Sequence, residues 1–422
     1  MPRALNDMST ALNAANLRAL PQQFGCPVWA YDAEIIKQRI AQLRQFDVIR
    51  FAQKACSNIH ILRLMHEQGV KVDSVSLGEI ERALVAGFIP GGEDSEIVFT
   101  ADVLDQPTLE RVTALNIPVN AGSIDMLSQI GQHQAGHPVW LRVNPGFGHG
   151  HSQKTNTGGE NSKHGIWYAD LPQALAEIAR YGLKLVGIHM HIGSGVDYGH
   201  LEQVCDAMVR QVIETGQDIE AISAGGGLSI PYHFEEESID TGHYFGLWNR
   251  AREQIAAHLG HEIKLEIEPG RFLVAESGVL VAQIRAVKNM GSRHFVLCDA
   301  GFNDLMRPAM YGSYHHISLL PADGRDGRDV SGQPLTESVI AGPLCESGDV
   351  FTQQAGGGVE TFPLPPVNIG DYLVFHDTGA YGASMSSNYN TRPLLPEVLF
   401  ENGVPRLIRR RQTVEELIAL EL

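Results

Sequence analysis

The sequence predicts an α/β protein in which a (β/α)8 barrel is followed by a second, mostly β domain. Between residues 48 and 269, eight short apolar runs alternate with amphipathic stretches. Strands that alternate with helices imply parallel pairing and right-handed crossovers, and eight such units suffice to close a barrel. After about residue 272 strand-like runs follow one another with Gly- and Pro-rich breaks and little helix between them.

The eight barrel strands are identified by apolar runs that end in polar or glycine-rich turns. They cover residues 48–53, 71–75, 96–100, 117–121, 139–144, 183–191, 219–224 and 263–269. Amphipathic helices such as 59–69, 77–87 and 244–259 lie between them. A doubly wound open sheet is the alternative, but the chain lacks a long insertion between the units, which favours the closed barrel.

The second domain is expected to be discontinuous. Its strand candidates are GVLVAQIRAVKNM, HFVLCDA, ESVIAGPL and DYLVFHD, and the early run PVWAYD can join them. We therefore expect a barrel over residues 36–272 and a β-rich domain over 1–35 and 273–422. Thr413 and Glu416 have the spacing of a capping box before a short terminal helix.

Composition excludes several function classes. The chain has 422 residues, a net charge of -17 and a pI near 5.5, which argues against nucleic acid or an anionic membrane as the main partner. It contains no apolar run long enough to span a bilayer, and its start lacks the apolar core of a signal peptide. Its five scattered cysteines form no CxxC pair, which fits a reduced cytoplasm.

Four polar groups fall at the carboxyl ends of the predicted strands, where barrels place their chemistry. Lys54 ends the first strand, residues 189–194 end the sixth, 225–227 follow the seventh and 268–271 follow the eighth. Each has an ordinary alternative: a surface lysine, a glycine turn or a solvated ion pair. Their shared placement at one end of the barrel favours a functional site.

Together these groups suit pyridoxal 5'-phosphate. Barrels commonly bind phosphate after strands seven and eight, where the glycines admit an anion to backbone N–H groups and Arg271 adds a charged fork. Lys54 would carry the cofactor's aldehyde. Glu268 would keep the pyridine nitrogen protonated, so that the ring becomes an electron sink, and His191 offers a flat ring for stacking.

The motifs FAQKA, HIGSG, GGGL, EPGRF and CESGD, and the region of Tyr381, occur in this order. The sequence thereby resembles the bacterial diaminopimelate decarboxylases, a family of alanine racemase-like, fold type III pyridoxal-phosphate enzymes, from GCPVWAYD to RPLLPEVL. The resemblance implies a barrel plus a β domain, and a homodimer whose active sites use residues of both chains. The sequence departs at SKHG (162–165), where relatives more often have Phe before Gly, and at Gln53 and Cys56, where relatives vary.

The resemblance also implies roles. Lys54 matches the cofactor-bearing lysine, His191 the stacking histidine, Glu268 the partner of the pyridine nitrogen and Cys345 a cysteine offered by the neighbouring subunit. The phosphate environment would contain Ser194, Gly226, Gly227, Gly270 and Arg271, and the substrate side Arg271, Arg307, Tyr311, Glu346 and Tyr381, with Tyr381 also near the cofactor. Asp73 resembles a position near the active lysine, with a loop cap as its alternative.

The substrate expected from this resemblance, meso-diaminopimelate, also fits the charges. Beyond its reacting amino-acid end it keeps an ammonium and a carboxylate, which Glu346 and Arg307 can anchor. Cys345 sits in GPLCESGD, a Gly/Pro-bounded turn that favours catalysis over burial in the core. The expected reaction is decarboxylation to L-lysine, the last step of lysine biosynthesis, with Cys345 or Lys54 returning a proton.

Three other functions remain open at this stage. His189 and His191, with His149 and His151, could serve a metal-dependent hydrolase, although an acidic ligand after strand eight is replaced by EPGR. A non-catalytic regulator should lack the lysine, the cysteine or the glycines. A decarboxylase for ornithine or arginine, or a racemase, is the third alternative. CESGD and Arg307 argue against it, since an arginine there would repel an ornithine-type substrate that ends in an ammonium alone. The irregular stretch 144–165 is expected to be a functional lid or a disordered segment.

Overall fold

The computed structural model describes residues 10–92, 95–148, 158–191, 197–233, 235–325 and 334–422. The chain divides into two compact units. The barrel unit comprises Arg39–Ser229 and Ile239–Phe272, and the β unit comprises Met1–Gln38, Ile230–Ser238 and Leu273–Leu422.

The regular elements alternate between strand and helix in the first two thirds of the chain and are mostly strands afterwards. The strands are β1 (Val28–Asp32), β2 (Val48–Ala52), β3 (Lys71–Ser74), β4 (Ile97–Ala101), β5 (Val119–Ala121), β6 (Pro138–Asn144), β7 (Ile166–Trp167), β8 (Lys184–His189), β9 (Ala221–Ser223), β10 (Lys264–Ile267), β11 (Gly278–Met290), β12 (Arg293–Cys298), β13 (Ile317–Leu320), β14 (Thr336–Ala341), β15 (Phe362–Leu364), β16 (Tyr372–Phe375), β17 (Glu397–Glu401) and β18 (Val404–Arg409). The helices are α1 (Ala14–Phe24), α2 (Ala33–Ala41), α3 (Ile59–Glu67), α4 (Leu77–Ala86), α5 (Gln106–Ala114), α6 (Ile124–His133), α7 (Leu171–Tyr181), α8 (Tyr198–Thr215), α9 (Thr241–Leu259), α10 (Arg271–Val274), α11 (Arg307–Tyr311) and α12 (Val414–Ile418).

The barrel unit is closed by parallel pairing throughout. Its strands follow the order β2, β3, β4, β5, β6, β8, β9 and β10, and β10 returns to pair with β2. The short β7 adds to the edge of β6. All eight strands overlap the predicted runs, so the predicted (β/α)8 barrel is confirmed and the open sheet is wrong.

The seam between β2 and β10 carries a buried ion pair. Arg50 Nε donates to Glu266 Oε2 at 2.6 Å, and Nη2 donates to Oε1 at 3.2 Å. The two side chains are 7% and 5% exposed. A charge pair this deeply buried requires such bidentate geometry, because its desolvation is costly.

The β unit is built on a sheet in the order β15, β14, β12, β11, β1, β17 and β18, and β16 joins β11 to β13. The early strand β1 lies between β11 and β17, antiparallel to the first and parallel to the second. The prediction that the N-terminal segment completes the β domain is therefore confirmed. Helix α1 covers this sheet by burying Leu17 and Leu20 against Val279, Val281 and Val398.

The division of the chain differs from the predicted boundaries at residues 36–38, which also belong to the β unit, and in one longer segment. Residues 230–238, which the sequence analysis placed in the barrel, belong to the β unit. The reason is aromatic packing: the Tyr232 ring meets His315 edge-on at 5.6 Å, and His233 stacks on Tyr314 at 4.0 Å. Side chains that pack elsewhere override the position of a segment in the chain.

Local sequence explains where the barrel helices begin and end. Polar side chains cap the first turns of α3, α4, α5 and α6, as with Ser76 on the Glu79 amide. Thr413 and Glu416 form the predicted capping box of α12. Within the described residues, no helix has the length and apolarity needed to cross a membrane.

Candidate active site

Lys54 lies two residues after the end of strand β2, in the 3-10 turn Gln53–Ala55. Its side chain is exposed, while Gln53 and Ala55 beside it are buried. The Gln53 amide fixes the turn by donating to Ser74 Oγ at 2.7 Å and to the Glu79 carbonyl at 3.0 Å. The lysine is thus presented by a hydrogen-bonded turn at the carboxyl end of the strand.

Glu268 lies just beyond β10 and is held as a carboxylate. His189 Nε2 donates to Oε2 at 2.8 Å, and Ser223 Oγ donates to Oε1 at 3.1 Å. Burial raises the pKa of Glu268, but the nearby His189 and Arg50 outweigh it and bring the pKa down to about 2. Glu268 is only 8% exposed. Because of its low pKa, its carboxylate is nevertheless ionised at neutral pH.

The glycine triplet contacts the ring of His191. The Gly226 amide donates to His191 Nδ1 at 2.8 Å, so the neutral ring carries its proton on Nε2. Burial lowers the pKa of His191 well below its usual range, and the charges of Arg142 and Lys54 lower it further. The sequence analysis placed Gly226 in the phosphate environment, and that role stays a prediction; in this structure the Gly226 amide orients the His191 ring.

The triplet also requires glycine for space. A Cβ on Gly226 would lie 2.6 Å from the Glu268 carbonyl and 3.2 Å from the His191 ring. At Gly225, where φ is +61°, a Cβ would lie 2.6 Å from the Met190 carbonyl. The Glu268 amide donates to the Gly225 carbonyl at 2.7 Å, so the ends of β9 and β10 are joined at this point.

Asp73 is buried at the end of β3, and its Oδ1 makes no hydrogen bond among the described residues. Burial raises the pKa of Asp73 well above its usual range, and the charge of Glu268 adds to the effect while Lys54 opposes it. A buried carboxyl with one oxygen left without a hydrogen bond agrees with a functional role for Asp73, which stays a prediction.

The other phosphate candidates lie at the same ends of the strands. Gly227 has φ of +100°, Gly270 is buried, and Arg271 begins α10 half-buried. Ser194 lies outside the described residues, as do His149, His151 and part of the 144–165 stretch. The roles expected of Ser194, His149, His151 and the 144–165 stretch therefore stay predictions.

The substrate-side candidates lie in the β unit. Arg307 and Tyr311 are four residues apart on α11 and so share one face of that helix. Arg307 is 6% exposed, and its guanidinium lies 5.0 Å over the Tyr232 ring. The prediction that Arg307 is more than a surface charge agrees with this burial. Tyr381 adopts φ of 56°, a left-handed conformation that is uncommon outside glycine.

Cys345 and Glu346 occupy the turn after β14, and both are exposed. The Cys345 amide donates to Asn390 Oδ1 at 3.1 Å, and the Tyr389 hydroxyl donates to Glu346. Asp349 shapes the turn by accepting from the Leu344 amide at 2.8 Å. The thiol is therefore not a core cysteine.

A family model for the pyridoxal binding domain of pyridoxal-dependent decarboxylases matches residues 32–275. The chain is 76% identical to a diaminopimelate decarboxylase of Escherichia coli over the whole of both chains, and 63% identical to one of Streptomyces coelicolor, covering 98% of this chain and 93% of that one. The chain belongs to the diaminopimelate decarboxylase family. As a member of this family it is a carboxy-lyase that uses pyridoxal phosphate.

Solved structures agree with the fold. A crystal structure of a diaminopimelate decarboxylase superposes with a TM-score of 0.97 at 76% identity, covering 100% of this chain and 99% of that one. The diaminopimelate decarboxylase of Helicobacter pylori, complexed with L-lysine, superposes with a TM-score of 0.81 at 30% identity, covering 96% of this chain and 99% of that one. Both superpositions include the barrel unit and the β unit, since each covers nearly the whole chain.

The described residues fit the cofactor that this decarboxylase family uses. An ionised, buried Glu268 suits a basic pyridine nitrogen. The backbone around Gly226 is too crowded for a side chain at this position, so only backbone atoms are present there. Asp73 Oδ1, which makes no hydrogen bond among the described residues, adds a polar group whose carboxyl interacts electrostatically with Lys54. Each of these features lies in the barrel unit.

Several contacts in this site were missed by the sequence analysis. His189, considered there as a metal ligand, instead donates to Glu268. Among the described residues, no group of three or more His, Cys, Asp or Glu side chains could hold a metal ion. His164 hydrogen-bonds Asp102 through Nδ1. The HxH spacing by itself does not indicate that its two histidines serve separate partners.

Proposed function

We propose that this chain decarboxylates the D-centre of meso-2,6-diaminopimelate to give L-lysine and carbon dioxide, with the site residues named below. The reaction type follows from the family. The observation that carries the substrate is Arg307, a buried guanidinium in the unit that also presents Glu346. An arginine and a glutamate together match the distal carboxylate and ammonium of this substrate, whereas ornithine ends in an ammonium alone.

Pyridoxal phosphate would be held covalently by Lys54, with His191 against its ring and Glu268 at its pyridine nitrogen. When bound, the cofactor supplies an electron sink for the pair left by the departing carboxylate. Further cofactor contacts are proposed for Asp73, Ser194, Gly226, Gly227, Gly270, Arg271 and Tyr381.

Glu268 would keep a proton on the nitrogen that it faces. Its pKa of about 2 is far below that of a pyridine nitrogen, so the proton resides on the nitrogen and the carboxylate stays charged. His189 and Ser223 orient the carboxylate from two sides. The His191 ring, whose pKa is lowered, would face the cofactor without adding a competing positive charge.

The β-unit residues would select which bond breaks. Arg307 and Glu346 anchor the distal end of the substrate, with Arg271, Tyr311 and Tyr381 completing the substrate side. Fixing that end sets the orientation of the reacting carboxylate, and orientation is what separates decarboxylation from racemisation. Cys345 or Lys54 then supplies the proton that replaces the carboxylate.

The exposed position of Cys345 supports a further proposal: the chain forms a homodimer in which Cys345 serves the partner's site. Cys345→Ala and Lys54→Ala homodimers should each be badly impaired. In a mixed dimer one site is wholly wild-type. Random mixing makes about half of the dimers mixed, so unfolding and remixing the two variants should restore about a quarter of wild-type activity.

The mixed-dimer experiment has a clear contrary outcome. Mixed dimers that form, as shown by mass, but recover no activity would mean that Cys345 acts in its own chain or not at all. We further propose a cytoplasmic location, since a pyridoxal enzyme with a free, exposed thiol suits a reducing compartment.

The activity itself is tested by incubating purified protein with pyridoxal phosphate and meso-diaminopimelate and measuring carbon dioxide and lysine. Ornithine and arginine serve as comparison substrates. Equimolar carbon dioxide and L-lysine, from diaminopimelate alone, are expected. Faster turnover of ornithine or arginine would assign the chain to another substrate within the same class.

A further inference from the structure

The guanidinium of Arg307 is held on two sides by side chains that had no role in the sequence analysis. The Tyr232 ring lies 5.0 Å from its central carbon, a cation–π distance. His315 Nε2 lies 2.9 Å from Nη1. The Tyr232 and His315 rings meet edge-on at 5.6 Å, so the three groups form one packed cluster within the β unit.

The hydrogen bonds of His315 fix its protonation state. Arginine nitrogens only donate, so Nε2 must accept the bond from Arg307 and carries no proton. Nδ1 lies 2.9 Å from the His376 carbonyl, which only accepts, so Nδ1 carries the proton. The arrangement therefore requires a neutral imidazole.

Protonating this imidazole would remove the support of Arg307. Nε2 would become a donor facing another donor, and two positive charges would stand 2.9 Å apart in a site where His315 and Arg307 are 5% and 6% exposed. The guanidinium would lose its hydrogen bond to His315 and be pushed from the position that the Tyr232 ring and His315 define.

We propose that His315 is a positioning residue that holds Arg307 for the substrate's distal carboxylate only while its imidazole is neutral, so that acid weakens recognition of that carboxylate. This inference rests on the proposed substrate role of Arg307. It names His315, which hydrogen-bonds Arg307, as the pH-sensitive element of substrate binding.

The described surroundings of His315 contain several other ionisable groups. The side chain is framed by α11, the 230–238 segment, the residues just before β13 and the end of β16. The titratable or charged residues on these elements are Arg307, Tyr311, Tyr232, His233, Glu235, Glu236, Glu237, Tyr314, His316, His376 and Asp377. Glu236 caps the amides of Tyr232 and His233, and His316 and His376 contact the Tyr314 hydroxyl and Ser318 respectively.

The test compares two ligands that differ in one carboxylate. L-lysine, the proposed product, keeps the distal carboxylate, and 1,5-diaminopentane is the same chain without it. Binding of each to the cofactor-loaded protein is measured by titration calorimetry between about pH 5.5 and 8.5, the range in which imidazoles commonly titrate. The values of kcat and KM for meso-diaminopimelate are measured alongside.

Three variants separate positioning from mere structure. His315→Gln can still accept from Arg307 and donate to the His376 carbonyl, but it cannot titrate. His315→Leu keeps the bulk and loses the acceptor. His316→Gln is the matched control, since it changes the adjacent histidine, whose ring packs against Phe362 and His376. Thermal unfolding of each variant reports on folding.

In the wild type, the preference for L-lysine over diaminopentane should shrink as the pH falls, and KM should rise about tenfold while kcat changes less. His315→Gln should keep its preference at low pH. His315→Leu should lack it at every pH, and His316→Gln should behave as the wild type.

Results that contradict these expectations would distinguish a failure of the His315 inference from a failure of the Arg307 role or of the proposed function. A wild-type pH response retained in His315→Gln would overturn the inference, and that variant suffices if His315→Leu does not fold. Preference lost in Arg307→Ala but kept in His315→Leu would leave Arg307 as the anchor and remove His315. Preference kept in Arg307→Ala would overturn both roles, whereas absence of carbon dioxide from the wild type would overturn the proposed function itself.

Discussion

The barrel unit and the β unit each use a histidine to hold one charged side chain, but with opposite proton requirements. In the barrel unit, His189 Nε2 donates to the Glu268 carboxylate. In the β unit, His315 Nε2 accepts from the Arg307 guanidinium. Both histidines are nearly fully buried, at 1% and 5% exposure. The charge of the partner decides whether the nitrogen between them must carry a proton.

This difference separates two kinds of pH sensitivity. Protonation of His189 keeps its Nε2 donor and adds attraction to Glu268, so acid does not break that contact until the carboxylate itself is protonated. Protonation of His315 breaks its contact at once. The contact that holds Glu268, which is proposed to act on the cofactor, is therefore kept when its histidine is protonated. The contact that holds Arg307, which is proposed to recognise the substrate, is lost.

The largest effect is expected from the substitution of Lys54, the residue proposed to hold the cofactor. Lys54→Ala should abolish turnover and the absorbance of bound cofactor, because no other lysine among the described residues ends a barrel strand in this way. Lys184→Ala is the control: that exposed lysine pairs with Glu220 at 2.8 Å and should be dispensable. Near-normal turnover in Lys54→Ala, measured as carbon dioxide release, would contradict the cofactor assignment.

Glu268→Gln tests whether charge, rather than hydrogen bonding alone, matters at the barrel end. The amide fits the same space but cannot keep a proton on the pyridine nitrogen, so turnover should fall at least about a hundredfold while cofactor still binds. Activity at saturating cofactor and the spectrum of the bound cofactor are the measurements. Turnover equal to that of the wild type would rule out the role given to Glu268.

Gly226→Ala tests the crowded backbone between Glu268 and His191. Its Cβ would lie 2.6 Å from the Glu268 carbonyl, so the backbone must shift, at a cost of about 1–3 kcal/mol in stability, and cofactor affinity should fall about tenfold. Gly246→Ala in α9, where the nearest atom would be Arg250 Nη1 at 3.9 Å, should instead stabilise by about 0.5–1 kcal/mol. Urea unfolding and cofactor titration would measure both; equal behaviour of the two variants would refute the packing argument.

The smallest expected effect sharpens the comparison of the two histidines. Because the pKa of Glu268 is lowered to about 2, its carboxylate contributes stability that is present above its unfolded pKa and lost as pH falls toward 2. His189→Leu should reduce that contribution, so acid unfolding should begin at higher pH, and activity should fall roughly tenfold. His189→Gln, which keeps a donor, should lie between. Acid titration followed by circular dichroism tests this; an unchanged unfolding curve in His189→Leu would mean that the contact contributes nothing.

The barrel and its strand ends could be predicted from the sequence because both depend on local patterns. Alternating apolar runs mark all eight strands, and Lys54 and Glu268 each follow one of them directly. Positions at strand ends converge without any knowledge of side-chain contacts, since parallel strands in a barrel share one carboxyl edge. The candidate residues could therefore be named before their geometry was seen.

The contacts that support these residues could not be predicted in the same way. His189 and Glu268 are 79 residues apart, and nothing in HMHIGS states which histidine meets the carboxylate. Segment 230–238 lies between two barrel elements in the chain yet packs its tyrosine against Arg307 within the β unit. Both depend on side-chain direction across distant elements, which periodicity does not encode.

The ion pair between Arg50 and Glu266 also bears on how the barrel folds. It joins β2 to β10, residues 216 apart, so the seam closes one of the largest loops in the unit, and the entropic cost of that closure comes late in folding. A slip of one residue along this seam would turn Glu266 away from Arg50 and leave both charges buried without a partner. We therefore expect the ion pair to favour the native register of β10 against β2 over shifted registers. The same register positions Glu268, which lies two residues further along the chain than Glu266.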